Sequence, residues 1–287
     1  MNKLHSQFFT EIKEKGLTDE IIRRFRDIIY EFYKKNKRKL PWRETKIPYY
    51  ILVSEIMLQQ TQAERVIPKY KQFLKAFPNI DSLAKASLDD VLKLWQGLGY
   101  NRRAISLKKA AEIIVQKFNS KIPSNIVDLE SLPGIGKTTA CEISSFAFNT
   151  PTVFIETNIR SVFIYFFFPN RANIKDSEIL PIVKKTVDMS NPREWYYALM
   201  DYGVMLKKKF PDLNKKSAHY QKQAPFKGSN RQIRGLVLKT VINNPGIKEN
   251  QIVQKLKIKL YRLNKVLLQL EKEGFIIKKK GTYIVAK

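Results

Sequence analysis

From Thr18 to Phe210 apolar residues recur at three- and four-residue spacing, in IIRRFRDIIYEFY, LVSEIMLQ, VIPKYKQFLKAF, LDDVLKLW and LKKAAEIIVQKF. That is the period of a helix with one buried face. No run in this region alternates apolar and polar positions as a half-buried strand does. Proline, glycine or an Asx/Ser cap falls at LPW, FPN, GLGY, IPSN, LPGIG and NPREW, where one helix must stop and the next begin. The pattern predicts a mainly α chain, with a many-helix globule over residues 1–222.

Residues 207–230, KKKFPDLNKKSAHYQKQAPFKGSN, lose this periodicity and read as an irregular basic segment running into a linker. A second domain, residues 223–287, is expected beyond it. NRQIRGLVLKTVINNPG, IKENQIVQKLKI and KLYRLNKVLLQLEKEG predict three amphipathic helices, and FIIKKKGTYIVAK alternates about a Lys-Gly turn like a two-stranded hairpin. Three helices and a hairpin predict a winged helix-turn-helix. Lys227–Lys287 carries 15 Lys/Arg against 3 Glu, which points to DNA contact by the third helix and the Lys278–Lys280 wing. A protein-docking winged helix with a solvated basic face is the alternative.

Over the whole chain 53 Lys+Arg stand against 26 Asp+Glu, a formal charge of +27 in 287 residues. An excess of this size implies a polyanionic partner, with nucleic acid ahead of an anionic membrane surface. No stretch approaches the roughly 20 apolar residues of a spanning helix, and MNKLHSQFFTEIKEKG lacks the apolar core of a signal peptide. A cytoplasmic protein is expected, nucleoid-associated if the source is prokaryotic, with no membrane partner. The single cysteine, Cys141, excludes an intramolecular disulfide and any multi-cysteine metal site, and His5 and His219 alone make a histidine-based site improbable.

LESLPGIGKTTACEISSF places Gly134 and Gly136 in a turn between two helical stretches. Backbone N–H groups at the start of the second helix, near Lys137, together with the helix dipole make a seat for a phosphate oxyanion. The spacing is not that of a P-loop, and no strand leads into it. LPWRETKIPYYILVSEIMLQQTQAERVIPKYKQFLKAFP lies upstream, LWQGLGYNRRAISLKKAA lies between, and FIETNIRSV and ALMDYGVML follow. In this order and at this spacing, over Leu40 to Met205, the chain resembles the helix-hairpin-helix DNA glycosylase superfamily, and within it the adenine-mismatch branch. The resemblance implies a two-subdomain helical fold with double-stranded DNA and an extruded base in the cleft between the subdomains.

A glycosylase needs one acid that gives a proton to the leaving base and one carboxylate that stays ionised beside the sugar. Glu55 in SEIMLQ lies among apolar neighbours, loses hydration and so is expected to keep its proton as a donor must. The resemblance places the branch's acid there. The second carboxylate, an aspartate in most relatives, falls on Glu156, one methylene longer; displacements of about 1 Å can cost on the order of a hundredfold in rate. Asn158 is expected to fix this helix start. Lyase-competent relatives carry a lysine where this chain has Thr138; a hydroxyl forms no Schiff base, and Lys137 points about 100° away. A monofunctional enzyme is therefore expected, with Thr138 close to the reacting sugar.

The resemblance implies that Gln59 and Gln60 of LQQTQ fill the gap left by the extruded base, and Tyr100 is a stacking or wedge candidate. Further DNA contacts are expected from Arg102, from Gly134, Gly136, Lys137 and Thr139 at the hairpin, from Asn158, and from Lys259, Arg262 and Lys279 of the C-terminal domain. Relatives usually hold an iron-sulfur cluster on four cysteines; near those places stand Lys207, Asn214, Ser217 and Gln223. No cofactor is expected beyond a structural monovalent cation at the hairpin, and packing around His219 and Tyr220 must hold the loop. The adenine branch also usually ends in a domain that reads an oxidised guanine, where this chain has a winged helix. Adenine opposite guanine or 8-oxoguanine and thymine or uracil opposite guanine both stay open. So does a noncatalytic or sequence-specific DNA-binding protein, regulator or restriction-type glycosylase, on the same scaffold. A monomer is expected.

Overall fold

The computed structural model describes residues 3–286. In chain order the helices are α1 (Lys3–Lys15), α2 (Asp19–Asn36), α3 (Pro48–Leu58), α4 (Ala63–Ala76), α5 (Ile80–Lys85), α6 (Leu88–Trp95), α7 (Arg102–Phe118), α8 (Ile126–Glu130), α9 (Lys137–Phe148), α10 (Thr157–Phe167), α11 (Asp176–Thr186), α12 (Pro192–Lys209), α13 (Asn230–Asn243), α14 (Glu249–Leu256) and α15 (Leu260–Lys272). Strands β1 (Ile247–Lys248), β2 (Ile276–Lys279) and β3 (Thr282–Val285) lie in the C-terminal part. The protein is mainly α, as the 3.6-residue pattern predicts. α1 lies before the Thr18 start that this pattern marks. The chain divides into two units, Met1–Ile51 with Ser124–Glu130 and Ile135–Lys222, and Leu52–Pro123 with Ser131–Gly134 and Gln223–Lys287.

In the first unit the Thr18 side chain accepts the Ile21 amide and starts α2, whose Ile21, Phe25, Ile29 and Tyr33 form one buried face. Phe25 is the centre of an aromatic cluster. Phe163, Phe166, Phe167 and Trp195 stand edge-on to it at centroid distances of 5.2–5.7 Å, and Phe8 of α1 lies 6.1 Å away. Rings that bury about 150–250 Å² each supply much of this unit's driving force. α10 and α12 meet backbone to backbone at Gly203, where a Cβ would stand 2.4 Å from the Asn158 carbonyl oxygen. Only a residue without a side chain allows this approach, and it sets where the start of α10 sits.

In the second unit α4 to α7 follow one another through short capped turns. Asn79 and Ser82 form a reciprocal cap on α5, and Ser87 caps α6 through the Asp90 amide at 3.1 Å. Trp95 and Phe73 fill the space between these helices. The C-terminal segment belongs to the same unit: α13, α14 and α15 with an antiparallel sheet of order β1-β3-β2. Ile276 to Lys279 pair with Val285 to Thr282, and Lys280 and Gly281 turn the hairpin with φ of 48° and 76°, the left-handed pair that a two-residue hairpin favours. The expected hairpin thus gains a third, two-residue strand, Ile247 and Lys248 against Tyr283 and Thr282. The element order of this segment is α13-β1-α14-α15-β2-β3.

Candidate active site and DNA interface

Glu55 sits in the middle of α3 with 7% of its surface exposed, and the Ser54 hydroxyl lies 3.4 Å from its Oε1. Just beyond it the chain leaves the helix. Gln60 has φ of 53°, a conformation that costs a side-chain-bearing residue about 1–2 kcal/mol. Gly97, Gly99 and Tyr100 have positive φ as well, at 96°, 74° and 45°. One buried residue ties these two turns together. The Arg103 guanidinium, 9% exposed, donates to the carbonyls of Ile56 (2.9 Å), Met57 (2.8 Å), Gln59 (2.5 Å) and Gly99 (3.1 Å) and to the Thr61 hydroxyl (3.0 Å). It also lies 5.5 Å from the ring centroids of Trp95 and Tyr100. A cation at the carboxyl end of α3 satisfies carbonyls that have no helical partner. Burial lowers its pKa to about 10, still cationic at neutral pH.

The hairpin turn joins this assembly. Gln59 Nε2 donates to the Gly134 carbonyl at 3.1 Å, and Gly134 has φ of 82° against Ser106, where a Cβ would stand 2.6 Å from the Ser106 Cβ. The structure therefore groups Gln59, Gln60, Tyr100 and Gly134 around Arg103. Gln60 is exposed and Tyr100 is 40% exposed, whereas the Gln59 amide is engaged with the turn. Arg102 projects outward with 73% of its side chain exposed and lies 3.7 Å from Glu273 of the C-terminal segment. Sequence reasoning chose Arg102 and passed over Arg103. The signal was the helix register: Arg103 shares the inward stripe of α7 with Leu107, Ala110 and Ile114.

In the first unit Glu156 is the N-cap of α10. Its Oε1 accepts the amides of Asn158 (2.7 Å) and Ile159 (2.8 Å), and its Oε2 accepts Asn158 Nδ2 (3.0 Å). Both oxygens are thus aimed by the helix start, and the helix dipole favours negative charge there. Asn158 orders this turn through its own side chain. α9 begins at Gly136, which offers no side-chain cap and stands in open space. Lys137 and Thr138 are exposed on its first turn, and Thr139 is buried at 7% exposure, facing the packed side of the helix. A buried ion cluster joins two of the motifs that carry the resemblance: Asp201 of ALMDYG accepts both arms of Arg43 of LPWR at 2.8 and 3.0 Å and also meets Arg38. Lys207, one turn beyond Gly203 on α12, is largely enclosed. Burial pushes its amine below the ordinary lysine value, and the nearby Glu156 charge works against that shift.

An iron-sulfur cluster does not fit the residues at the four places where relatives hold it. Lys207, Asn214, Ser217 and Gln223 offer no thiolate, and Cys141 is buried in α9. Hydrogen bonds hold the loop instead. Asn214 accepts the Ser161 hydroxyl, the Ile174 amide donates to the Lys216 carbonyl and the Ile174 carbonyl accepts the Ala218 amide, both at 2.9 Å, and His219 Nε2 accepts the Asp176 amide at 3.3 Å. Tyr220 is exposed. Among the described residues no cluster of His, Cys, Asp and Glu could hold a metal ion.

In the C-terminal segment Lys259 is the exposed N-cap of α15, Arg262 lies 3.3 Å from Asn230, and Lys279 is exposed at the end of β2. Leu263, Val266, Leu267 and Leu270 turn inward, leaving Tyr261, Asn264, Lys265 and Leu268 outward. No described helix is long and apolar enough to cross a membrane.

Glu55, the glycine turn and the carboxylate-capped α10 all fall within one domain match: residues 53–187 fit the HhH-GPD superfamily base excision DNA repair protein family. Residues 53–187 thus carry a domain of the HhH-GPD superfamily. Adenine DNA glycosylase of Buchnera aphidicola subsp. Baizongia pistaciae is 40% identical over 186 residues, 63% of this chain and 52% of the relative. Adenine DNA glycosylase of Mycobacterium tuberculosis is 41% identical over 132 residues, 46% of this chain and 43% of the relative. A solved thermostable thymine-DNA glycosylase superposes with a TM-score of 0.58 at 25% identity, over 64% of this chain and 86% of its own. The chain spans about half the length of the curated relatives it matches.

Proposed function

We propose that the chain is a monofunctional DNA glycosylase of base excision repair, which takes a mispaired base out of duplex DNA and hydrolyses its N-glycosidic bond. Glu55 is the general acid and Glu156 the carboxylate that offsets positive charge on the sugar, while Thr138 lies by the sugar and forms no Schiff base. One observation carries this reading: two carboxylates in opposite surroundings, Glu55 buried in α3 and Glu156 accepting three N–H groups at a helix start. The adenine DNA glycosylases at 40% identity favour adenine as the target, and the thymine-DNA glycosylase fold keeps thymine or uracil opposite guanine as the other candidate. Gln60, Tyr100 and Arg102 meet the stacked bases and their backbone, as does Gln59 through the turn it holds. The main chain at Gly134, Gly136, Lys137 and Thr139 seats a phosphate, where a monovalent cation can bridge. Lys259, Arg262 and Lys279 bind flanking duplex. The protein works as a monomer on chromosomal DNA, and so in the cytoplasm or at the nucleoid.

The test is a panel of duplexes carrying every mispair and the common oxidised and deaminated bases, at moderate salt because so basic a chain binds all DNA when salt is low. Strand breaks should appear only after alkali, borohydride should trap no covalent complex, and Glu55→Gln should abolish release. If no base is released from any duplex, the enzyme reading fails. A second reading draws on the same Glu156: with both oxygens bound to the helix start, the site is silent and the chain is a sequence-specific DNA-binding protein. Tight binding of one undamaged sequence without excision supports it.

A further inference from the structure

Three features set Tyr100 apart from an aromatic residue that merely packs. Its backbone is left-handed at φ of 45°, directly after Gly99 and three residues after Gly97, both of positive φ, and two-fifths of the residue is exposed. A bulky side chain held in that region points to a functional constraint. The third feature lies at the tip of the ring. Gln223 Nε2 donates to the Tyr100 hydroxyl at 2.6 Å, and Arg231 Nη1 stands 3.5 Å from the same oxygen. The second arm of Arg231 donates to the Ala224 carbonyl at 2.7 Å, closing residues 224–231 into a loop on that hydroxyl. Both residues come from the C-terminal segment, more than 120 positions away in the chain.

Further polar attachments of that segment fall on the same short stretch. Gln96 donates to Asn243 at 3.1 Å, and Arg102 meets Glu273, which Arg234 also holds. The winged-helix module is thus fastened to residues 96–102, with Tyr100 in the middle. The clasp takes the hydroxyl, two-fifths of the residue stays exposed, and Arg103 lies 5.5 Å from the ring centroid.

We propose that Gln223 and Arg231 are positioning residues, which fix Tyr100 as a base-stack wedge, so that the winged helix and the wedge engage duplex DNA as one piece. The module then decides at which base pair the ring enters. This rests on the proposed reading only in taking mismatched duplex DNA as the ligand.

The experiment uses the full chain and duplexes in which 2-aminopurine, fluorescent when unstacked, is moved position by position around an adenine mispair. Tyr100→Phe keeps the ring and loses the hydroxyl. It and Gln223→Ala should each lower the unstacking constant at one position by about three- to tenfold, the range expected for one lost hydrogen bond. The double variant should be no worse than Tyr100→Phe alone, since that change already removes the bond from Gln223. Arg231→Ala should act in the same direction, and Asn243→Ala, which cuts a different attachment, should change the constant less than twofold. A silent Tyr100→Phe, additive losses, an Asn243→Ala effect equal to that of Gln223→Ala, or a wild type that unstacks no position would each overturn the proposal. If Gln223→Ala unfolds, Tyr100→Phe still decides, because it removes only the contacts made to the hydroxyl. Excision is read in the same samples. Unstacking without excision in the wild type sinks the glycosylase reading and leaves the clasp standing, whereas excision with a silent Tyr100→Phe sinks the clasp alone.

Discussion

Arg103→Met isolates what the buried guanidinium contributes, since methionine keeps much of the apolar stem and removes every donor. The carbonyls of Ile56 and Met57 lie at the buried end of α3, and each loses a partner within 2.9 Å. An orphaned buried acceptor costs about 1–3 kcal/mol, and the Gln59, Gly99 and Thr61 contacts add smaller amounts, for a gross loss of about 5–7 kcal/mol. Against this stands the recovered cost of burying the cation. Burial lowers its pKa from 12.5 to about 10, worth about 3 kcal/mol at 1.36 kcal/mol per pH unit. The net expectation is a destabilisation of about 2–4 kcal/mol, or about 5–15 °C in the transition of a unit this size. Scanning calorimetry with tryptophan fluorescence reads it directly, because Trp95 lies in the second unit and 5.5 Å from the guanidinium, whereas Trp42 and Trp195 report the first unit. Arg103→Lys should recover less than half of the loss, since one ammonium cannot reach five acceptors. A variant melting within 2 °C of wild type, or a lysine variant as stable as wild type, would show that these carbonyls need no guanidinium.

Glu55→Gln should lower single-turnover base release by at least about a hundredfold, the range of general-acid contributions, while binding of undamaged duplex stays within about twofold in the same buffer. Glu156→Ala should cost about 1–2 kcal/mol through the lost helix cap and also abolish release; Glu156→Asp, still a good cap, should melt close to wild type, so a large thermal loss in the aspartate would refute the capping role. Gly203→Ala forces a Cβ to within 2.4 Å of the Asn158 carbonyl oxygen; backbone on both sides cannot yield, and a loss of about 2–3 kcal/mol should accompany slower excision, although residue 203 meets no substrate. The Arg234 guanidinium holds the Glu273 carboxyl below the usual glutamate range. A depressed carboxylate adds stability that is fully present above the unfolded value of about 4.3 and lost as pH falls through the lower folded value. Chemical denaturation from pH 7 to 3 should therefore show an acid loss that Glu273→Gln removes.

Much of the helical framework is legible because each helix buries one face and ends at a local stop such as Asn119 or Asn149, both with left-handed φ. The hairpin of the C-terminal segment is legible for the same local reason, an alternating pattern about a Lys-Gly turn. The two-residue strand Ile247 and Lys248 is not, because its extension is imposed by Tyr283 and Thr282 more than thirty residues away. α1 escapes for a related reason: its place comes from Phe8 against Phe25 and Phe166. At the site the choice between Arg102 and Arg103, or between Thr138 and Thr139, depends on a 100° rotation per residue, and a register uncertain by one position reverses inside and outside.

Glu156 shows how far a local rule reaches and where it stops. A glutamate in place of the usual aspartate reads from sequence as a misplaced charge, because one more methylene shifts the carboxylate by about 1 Å. The backbone answers part of that. The longer side chain folds back on its own helix, and its oxygens take the amides of residues 158 and 159 and the Asn158 side chain, so its place is set by the start of α10 rather than by its length. That start is in turn set by the contact of Asn158 with Gly203, forty-five positions downstream, which no spacing within ETNIRSV reveals. A substitution that looks like a loss of catalytic geometry thus becomes a question about helix packing. Excision by Glu156→Asp and Gly203→Ala, measured side by side, separates the length of the acid from the seat that holds it.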